Sequence, residues 1–187
     1  MRLILLSALL SLLGACASVP STIILGPQVR PGDCCANTSV MLQVVDNRPG
    51  PQLAQLVEEG EPPLPIPPAN NVEDAIRKAL MNGLKQRGVN LGGAGAAPLR
   101  VEITQLLASV RSGLVKHQTD VAITLSFHFS SGNRELTRTF NGNRSDTKPV
   151  RPDVAAIEKQ INLLLGDVLT NALNDAELMN AIRQSEQ

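Results

Sequence analysis

The chain has 187 residues, with 17 basic and 17 acidic side chains, no Trp, no Tyr and three Phe. One domain of that size can bury a proper core, but the balanced charge offers neither the basic surface that nucleic acid requires nor a polybasic membrane patch. The scarcity of aromatic rings also disfavours the stacking platforms used for sugars and single-stranded nucleic acid.

In chain order, Arg2 supplies a positive start and Leu3 to Leu13 an apolar run broken by Ser7, Ala8 and Ser11. The run is shorter than the ~20 residues a membrane-spanning helix needs and suits the apolar region of a signal peptide. It ends in Leu13-Gly14-Ala15-Cys16. That ending resembles the lipobox of bacterial lipoproteins, in which small residues admit the peptidase and the cysteine thiol takes a diacylglyceryl group. The resemblance implies cleavage between Ala15 and Cys16 and a covalent diacylglyceryl and N-acyl lipid (palmitate-type chains) on Cys16, with no other cofactor. Two or more acyl chains hold a protein stably, where one does so marginally. Ala17, in place of Asp, implies by resemblance to enteric-type sorting the inner leaflet of the outer membrane, facing the periplasm.

Residues 1–15 thus read as a signal peptide, 16–37 as a lipidated N-terminus and tether, and 38–187 as a single domain with a Pro-rich loop at 49–69. Within the tether, Ser21 to Leu25 suits a short edge strand, before Gly26, Pro27, Pro31 and Gly32 break it up. Cys34 and Cys35 are neighbours. Consecutive Cα atoms lie ~3.8 Å apart, below the usual disulfide minimum of ~4.4 Å. Free or buried thiols, a strained vicinal disulfide and pairing with another chain all remain open. No Cys-x-x-Cys occurs and the two His are isolated, so no metal site is expected.

Thr38 to Asp46 reads as a strand, Val40, Leu42 and Val44 sharing a face. Between Pro49 and Ala69, seven prolines stop regular pairing. Pro62 to Pro68 is expected to run as polyproline II, either a stiff surface loop or a docking segment, and Gln52 to Glu59 suits a helical turn. From Asn71 to Arg87 the spacing predicts an amphipathic helix, capped by Asn70 or Asn71, with Val72, Ile76, Ala79, Leu80, Gly83 and Leu84 on its apolar face and Gly88 beyond its end. The glycine-rich Gly92 to Pro98 follows a helix and precedes a strand, the reverse of a dinucleotide site.

Three strands follow. Leu99, Val101, Ile103 and Leu107 are expected to share a face opposite Arg100, Glu102 and Thr104. Val121, Ile123, Leu125, Phe127 and Phe129 alternate with Asp120, Ala122, Thr124, Ser126 and His128. Ser130-Ser131-Gly132-Asn133 is a hairpin turn, and Leu136 and Phe140 mark the last strand. A long helix begins after Asp153, with Val154, Ile157, Ile161, Leu164, Leu165, Val168, Ala172 and Leu173 as its stripe. A short terminal helix starts near Asn174-Glu177. The fold class expected is α+β: a four-stranded, mostly antiparallel sheet with two helices on one face, in the order β-α-β-β-β-α.

Ala75-Ile76-Arg77-Lys78-Ala79-Leu80, the helix end Arg87-Gly88, Val101-Glu102-Ile103, Thr119 to Ile123 and Leu173 to Arg183 together resemble the YajG family of uncharacterised outer-membrane lipoproteins. The resemblance spans about residues 38–184 and the lipobox; the Pro-rich stretch and Cys34-Cys35 depart from it. It implies an address and a fold, and no reaction.

No nucleophile elbow, His-Glu-x-x-His, Walker loop or usable Cys-His pair occurs, so an enzyme is not expected. Thr124, Ser126 and His128 on the polar face of one strand, with Arg134 and Arg138 on the next, form the candidate binding face; Arg134, Arg138 and Arg144 suit an acidic partner. The expected role is a non-enzymatic binding or assembly module of the cell envelope. It would hold the membrane through its lipid and another envelope protein through its surface, with no nucleic-acid partner. The alternative is a carrier or sensor of a small amphiphile such as a lipid or cell-wall fragment. A cell-wall hydrolase would need convergent carboxylates or a metal cluster, and neither is evident.

Overall fold

The computed structural model describes residues 21–32, 38–113, 115–150 and 153–186. Ala15, Cys16, Cys34 and Cys35 lie outside the described residues.

The strands are β1 (Thr38–Asp46), β2 (Ala54–Val57), β3 (Leu64–Ile66), β4 (Val89–Leu91), β5 (Ala97–Ser112), β6 (His117–Ser131) and β7 (Arg134–Lys148). The helices are α1 (Val72–Gln86), α2 (Val154–Asn174) and α3 (Ala176–Arg183), followed by a 3-10 turn at Gln184–Glu186. Asn71 and Asp153 cap α1 and α2 through their side-chain oxygens. The buried face of α1 is Val72, Ile76, Ala79, Leu80, Gly83 and Leu84, as its spacing dictates. Asp175, rather than Asn174, caps α3, its carboxylate accepting from the Leu178 N–H.

The sheet departs from the four antiparallel strands expected. It has seven strands of mixed direction, curled into a half-barrel, with three helices. β5, β6 and β7 form an antiparallel meander. β1, however, pairs parallel with β5 and with β4, and β2 pairs parallel with β5. The reason lies in the connection. α1 lies between β1 and β5 and carries the chain back to the end where β1 began, and a strand entered by such a crossover runs parallel. The Pro-rich stretch is not a helical turn followed by free polyproline. It contains β2 and β3, paired antiparallel, with β3 at an edge where a Pro65 lacking an N–H is tolerated.

β1 and β2 share one edge of β5, end to end. β1 covers Ala97–Ile103 and β2 covers Ala108–Arg111. Between them the β5–β6 register shifts at Ile103/Gln105, a bulge that buries Leu106 and leaves Leu107 partly exposed, the reverse of the simple alternation. Arg48 fills the gap on that edge. Its guanidinium bonds both Asp46 carboxylate oxygens at 2.8 Å and donates to the carbonyls of Gln52 (2.8 Å) and Leu106 (3.4 Å). The side chain is 4% exposed, so those bonds replace its hydration.

The helices cover one face of the sheet, where Phe127, Leu125, Ile123, Leu99 and Ile161 belong to a continuous core. Gly142 of β7 lets α2 approach: a Cβ there would stand 2.5 Å from Val168 Cγ2. Phe127 and Phe140 meet edge to face at 5.4 Å.

Residues 21–32, within the stretch read as tether, pack on the domain as an extended strap. Ile23 and Leu25 are buried, and Ile23 forms a parallel bridge with Pro68. Alternate strap amides then meet side chains four apart along α2. Ile24 N–H donates to Glu158 (2.7 Å), Gly26 to Asn162 (2.8 Å), Arg30 to Thr170 (3.1 Å) and Gly32 to Asn174 (2.7 Å). The missing rung is Gly166, where the Gln28 carbonyl lies 2.5 Å from where a Cβ would stand. The match is geometric: four helical residues rise ~6 Å, and two extended residues advance ~6.2–6.6 Å. Asn70 clasps Leu25 from the other side, accepting from its N–H and donating to its carbonyl.

Candidate functional site

Register decides which side of the sheet each candidate occupies. On β6, Val121, Ile123, Leu125, Phe127 and Phe129 face the helices, so Thr124, Ser126 and His128 face outward. On β7, Thr137, Thr139 and Asn141 stand opposite those three and share the outer face. Arg138 stands opposite Phe127, and Arg134 opposite Ser131, so both belong to the helix side. The five candidates therefore divide between two faces. The signal was available in the sequence: 134 and 138 share the parity of Leu136 and Phe140, the apolar residues of that strand.

Arg138 is engaged there. Its guanidinium reaches Asp175 (2.7 Å) and Glu177 (2.9 Å) at the α2–α3 junction, and the Asp175 contact raises its pKa further. Burial pushes the Asp175 carboxyl upward, but the Leu178 N–H, Arg138 and the Glu177 N–H together hold it below the ordinary value of 3.8. Arg134 donates to the Gln184 side chain at 2.9 Å. Arg144 is exposed opposite Val121.

The outer face of β5–β7 is a polar platform with its groups paired across strands. Arg100 bonds Glu102 at 2.8 Å; His128 Nε2 lies 3.8 Å from Glu102, and its Nδ1 is 3.1 Å from the Thr137 hydroxyl. Ser126 and Thr139 share a hydrogen bond of 3.0 Å, and Thr124 donates to the Gln105 side-chain oxygen Oε1 at 3.4 Å. Nearer the β5–β6 turn, Ser145 and Gln118 donate to Asp120, whose pKa they lower, with Arg111 adding to the effect. Such ladders stiffen a sheet and fix where its donors and acceptors point. Ser112 and His117, 3.3 Å apart, are cross-strand neighbours at the base of the turn. Beyond β7 no further strand pairs among the described residues, which leaves a fifteen-residue edge with free backbone groups.

Among the described residues, no group of three or more His, Cys, Asp or Glu is placed to hold a metal ion. No described helix is long and apolar enough to cross a membrane. Open clefts lie at the surface of the described residues. One of about 1310 Å³ sits between the β6–β7 turn and α3, one of about 470 Å³ between the strap and α1, and one of about 330 Å³ beside Arg48.

Residues 33–183 match the model of a family described as an uncharacterized lipoprotein, and the chain belongs to that family. This agrees with the resemblance to the YajG family. No curated protein gives a significant match. The fold is similar to the crystal structure of protein XCC0632 from Xanthomonas campestris, of the DUF330 family. The two share 15% identity over 88% of this chain and 99% of that one, at a TM-score of 0.56. It is also similar to a crystal structure of an uncharacterized protein, at 12% identity over 82% and 97% of the two chains and a TM-score of 0.51. At these identities the likeness is one of fold.

Proposed function

We propose that this member of an uncharacterized lipoprotein family is anchored by lipid on Cys16 to the periplasmic side of the outer membrane. There it serves as a non-catalytic binding or assembly module of the envelope. The observation that carries the reading is the uncovered outer face of β5–β7 with its open β7 edge. All the described helices pack on the opposite face, and no described segment covers this one. A stiff array of hydroxyls and amides beside an unpaired strand suits another protein, which can add a strand at the edge and meet the platform with its side chains. A carrier of a small amphiphile is supported less well, since such a ligand favours an enclosed apolar cavity and the clefts described above are open and in part polar.

Two measurements test this. Cys16→Ala should abolish incorporation of labelled fatty acid and release the body from membranes; unchanged attachment would defeat the anchor. In-cell crosslinking with photoreactive residues at Thr124 and Thr139 should capture one envelope protein reproducibly, and the exposed Lys159 on α2 should not. Capture of lipid or glycan alone from both faces would put the carrier in its place.

A further inference from the structure

The structure constrains how the body stands on its membrane. We infer that the end of the fold carrying the β5–β6 turn is a bilayer-contacting surface, with Val115, Val150 and Leu64 touching lipid. The inference rests on the lipid anchor proposed above.

Three exposed apolar side chains share that end. Val115, 82% exposed, lies in the turn between β5 and β6. Val150, 72% exposed, follows the end of β7, whose Lys148 pairs with His117. Leu64, 61% exposed, opens β3, and its β2 partner Leu56 pairs with Val110, two residues before the end of β5. Register thus brings all three to the end of the sheet that carries the turn, with Leu64 set back by about 10 Å. The opposite end, at Gly132 and Asn133, has one such residue near it: Met41, 59% exposed, whose β5 partner Pro98 adjoins Leu99, the partner of Phe129.

The length of the chain before the strap supplies the occupant. Ile23 bridges Pro68 in parallel, so two residues upstream Ser21 is level with Ile66, and therefore with Ala54 and Ala108. From Ala108 to the turn at 113–116 is roughly 17–26 Å along the strand. From Cys16 to Ser21 is five residues, at most about 18 Å fully extended. The strap runs away from the turn, so Ser21, its first described residue, is the one nearest the turn. A lipidated Cys16 then lies no farther out than the turn itself, and the turn must meet the headgroups. The opposite hairpin, eleven residues along β6 from Val121, is roughly 36 Å the other way, beyond the reach of that spacer. Glu58, Glu59 and Glu61 follow β2, whose Val57 pairs with Arg111, and Lys116 and Lys148 lie at the same end, so charges of both signs are present there. The contact is therefore apolar, with no demand for anionic lipid.

The protein has no tryptophan, so a single one reports without background. Val115→Trp, Val150→Trp and Asn133→Trp would each be made in the lipidated protein. Each would be reconstituted into vesicles of phosphatidylethanolamine and phosphatidylglycerol with brominated acyl chains, and floated. Emission should be quenched about twofold at 115 and 150, as for a side chain 5–10 Å into the interface, and be unchanged at 133. Floated protein with no quenching at 115 and 150, or equal quenching at all three, overturns the inference and leaves the anchor standing. Protein that fails to float removes the anchor and the inference with it. A concentration-dependent blue shift at 115 without lipid would make a second copy the occupant and overturn it too.

Discussion

Gly166→Ala separates two opposite expectations. On an exposed helix, Ala in place of Gly adds about 1 kcal/mol. Here the new methyl would stand 2.5 Å from the Gln28 carbonyl oxygen, which is backbone and cannot rotate away. Ordinary contact begins near 3.4 Å, so the strap must lift by about 1 Å. The neighbouring rungs, Gly26 on Asn162 at 2.8 Å and Arg30 on Thr170 at 3.1 Å, then open beyond bonding distance. At about 1 kcal/mol each, their loss outweighs the helix gain and leaves a net destabilisation of ~1 kcal/mol. For a domain of this size that lowers Tm by roughly 2–4 °C. Hydrogen exchange is the sharper assay: amides 24 to 32 should exchange several-fold to tenfold faster, with the β6 core unaffected. A raised Tm with undiminished protection of the strap would show that the ladder carries no weight and refute the reasoning.

Arg48→Met should cost about 3 kcal/mol, because it strips a buried ion pair from Asp46 and leaves the Gln52 and Leu106 carbonyls without their donor. Thermal unfolding checks it, and a Tm within a degree of the parent's would contradict the role given to the bulge. Asp175→Asn keeps the helix cap and removes the charge facing Arg138. The folded carboxyl lies below its ordinary value of 3.8, so it stabilises the fold above that pH and loses the contribution as pH falls through the folded pKa. Arg138 is more than a third exposed, which keeps the expected difference near ~1 kcal/mol at pH 7. It should vanish once pH has fallen below the folded pKa of Asp175 in denaturant titrations; a difference that does not change with pH would count against the assignment.

The elements with a clean local period were legible. The α1 face, the alternation of β6 and the caps at Asn71 and Asp153 follow from residues within one or two turns of each other. What escaped depends on distant partners. β2 becomes a strand because β5 offers it an edge beyond the bulge, and nothing between Gln52 and Glu59 announces that. Parallel pairing of β1 with β5 was implied by the helix between them, but four strands in meander order concealed it. The outward placement of Thr124, Ser126 and His128 was readable from period two. Arg134 and Arg138 were joined to them by proximity in sequence, against their parity with Leu136 and Phe140. The strap reads as a linker because Pro and Gly interrupt it. Its signal was on α2, where Glu158, Asn162, Thr170 and Asn174 recur every four residues around Gly166.

That ladder also sets how load would pass from the proposed anchor into the body. A pull on Ser21, the first described residue of the strap, directed toward the β5–β6 turn acts along the axis of the strap, because the strap runs away from that turn. Its four amide bonds to α2 and the Asn70 clasp are then strained together, in shear, instead of being peeled one after another. A tether fastened this way resists extraction far better than its individually weak bonds would suggest. With the anchor proposed above, tugging on the domain would load the lipid before it loosened the fold.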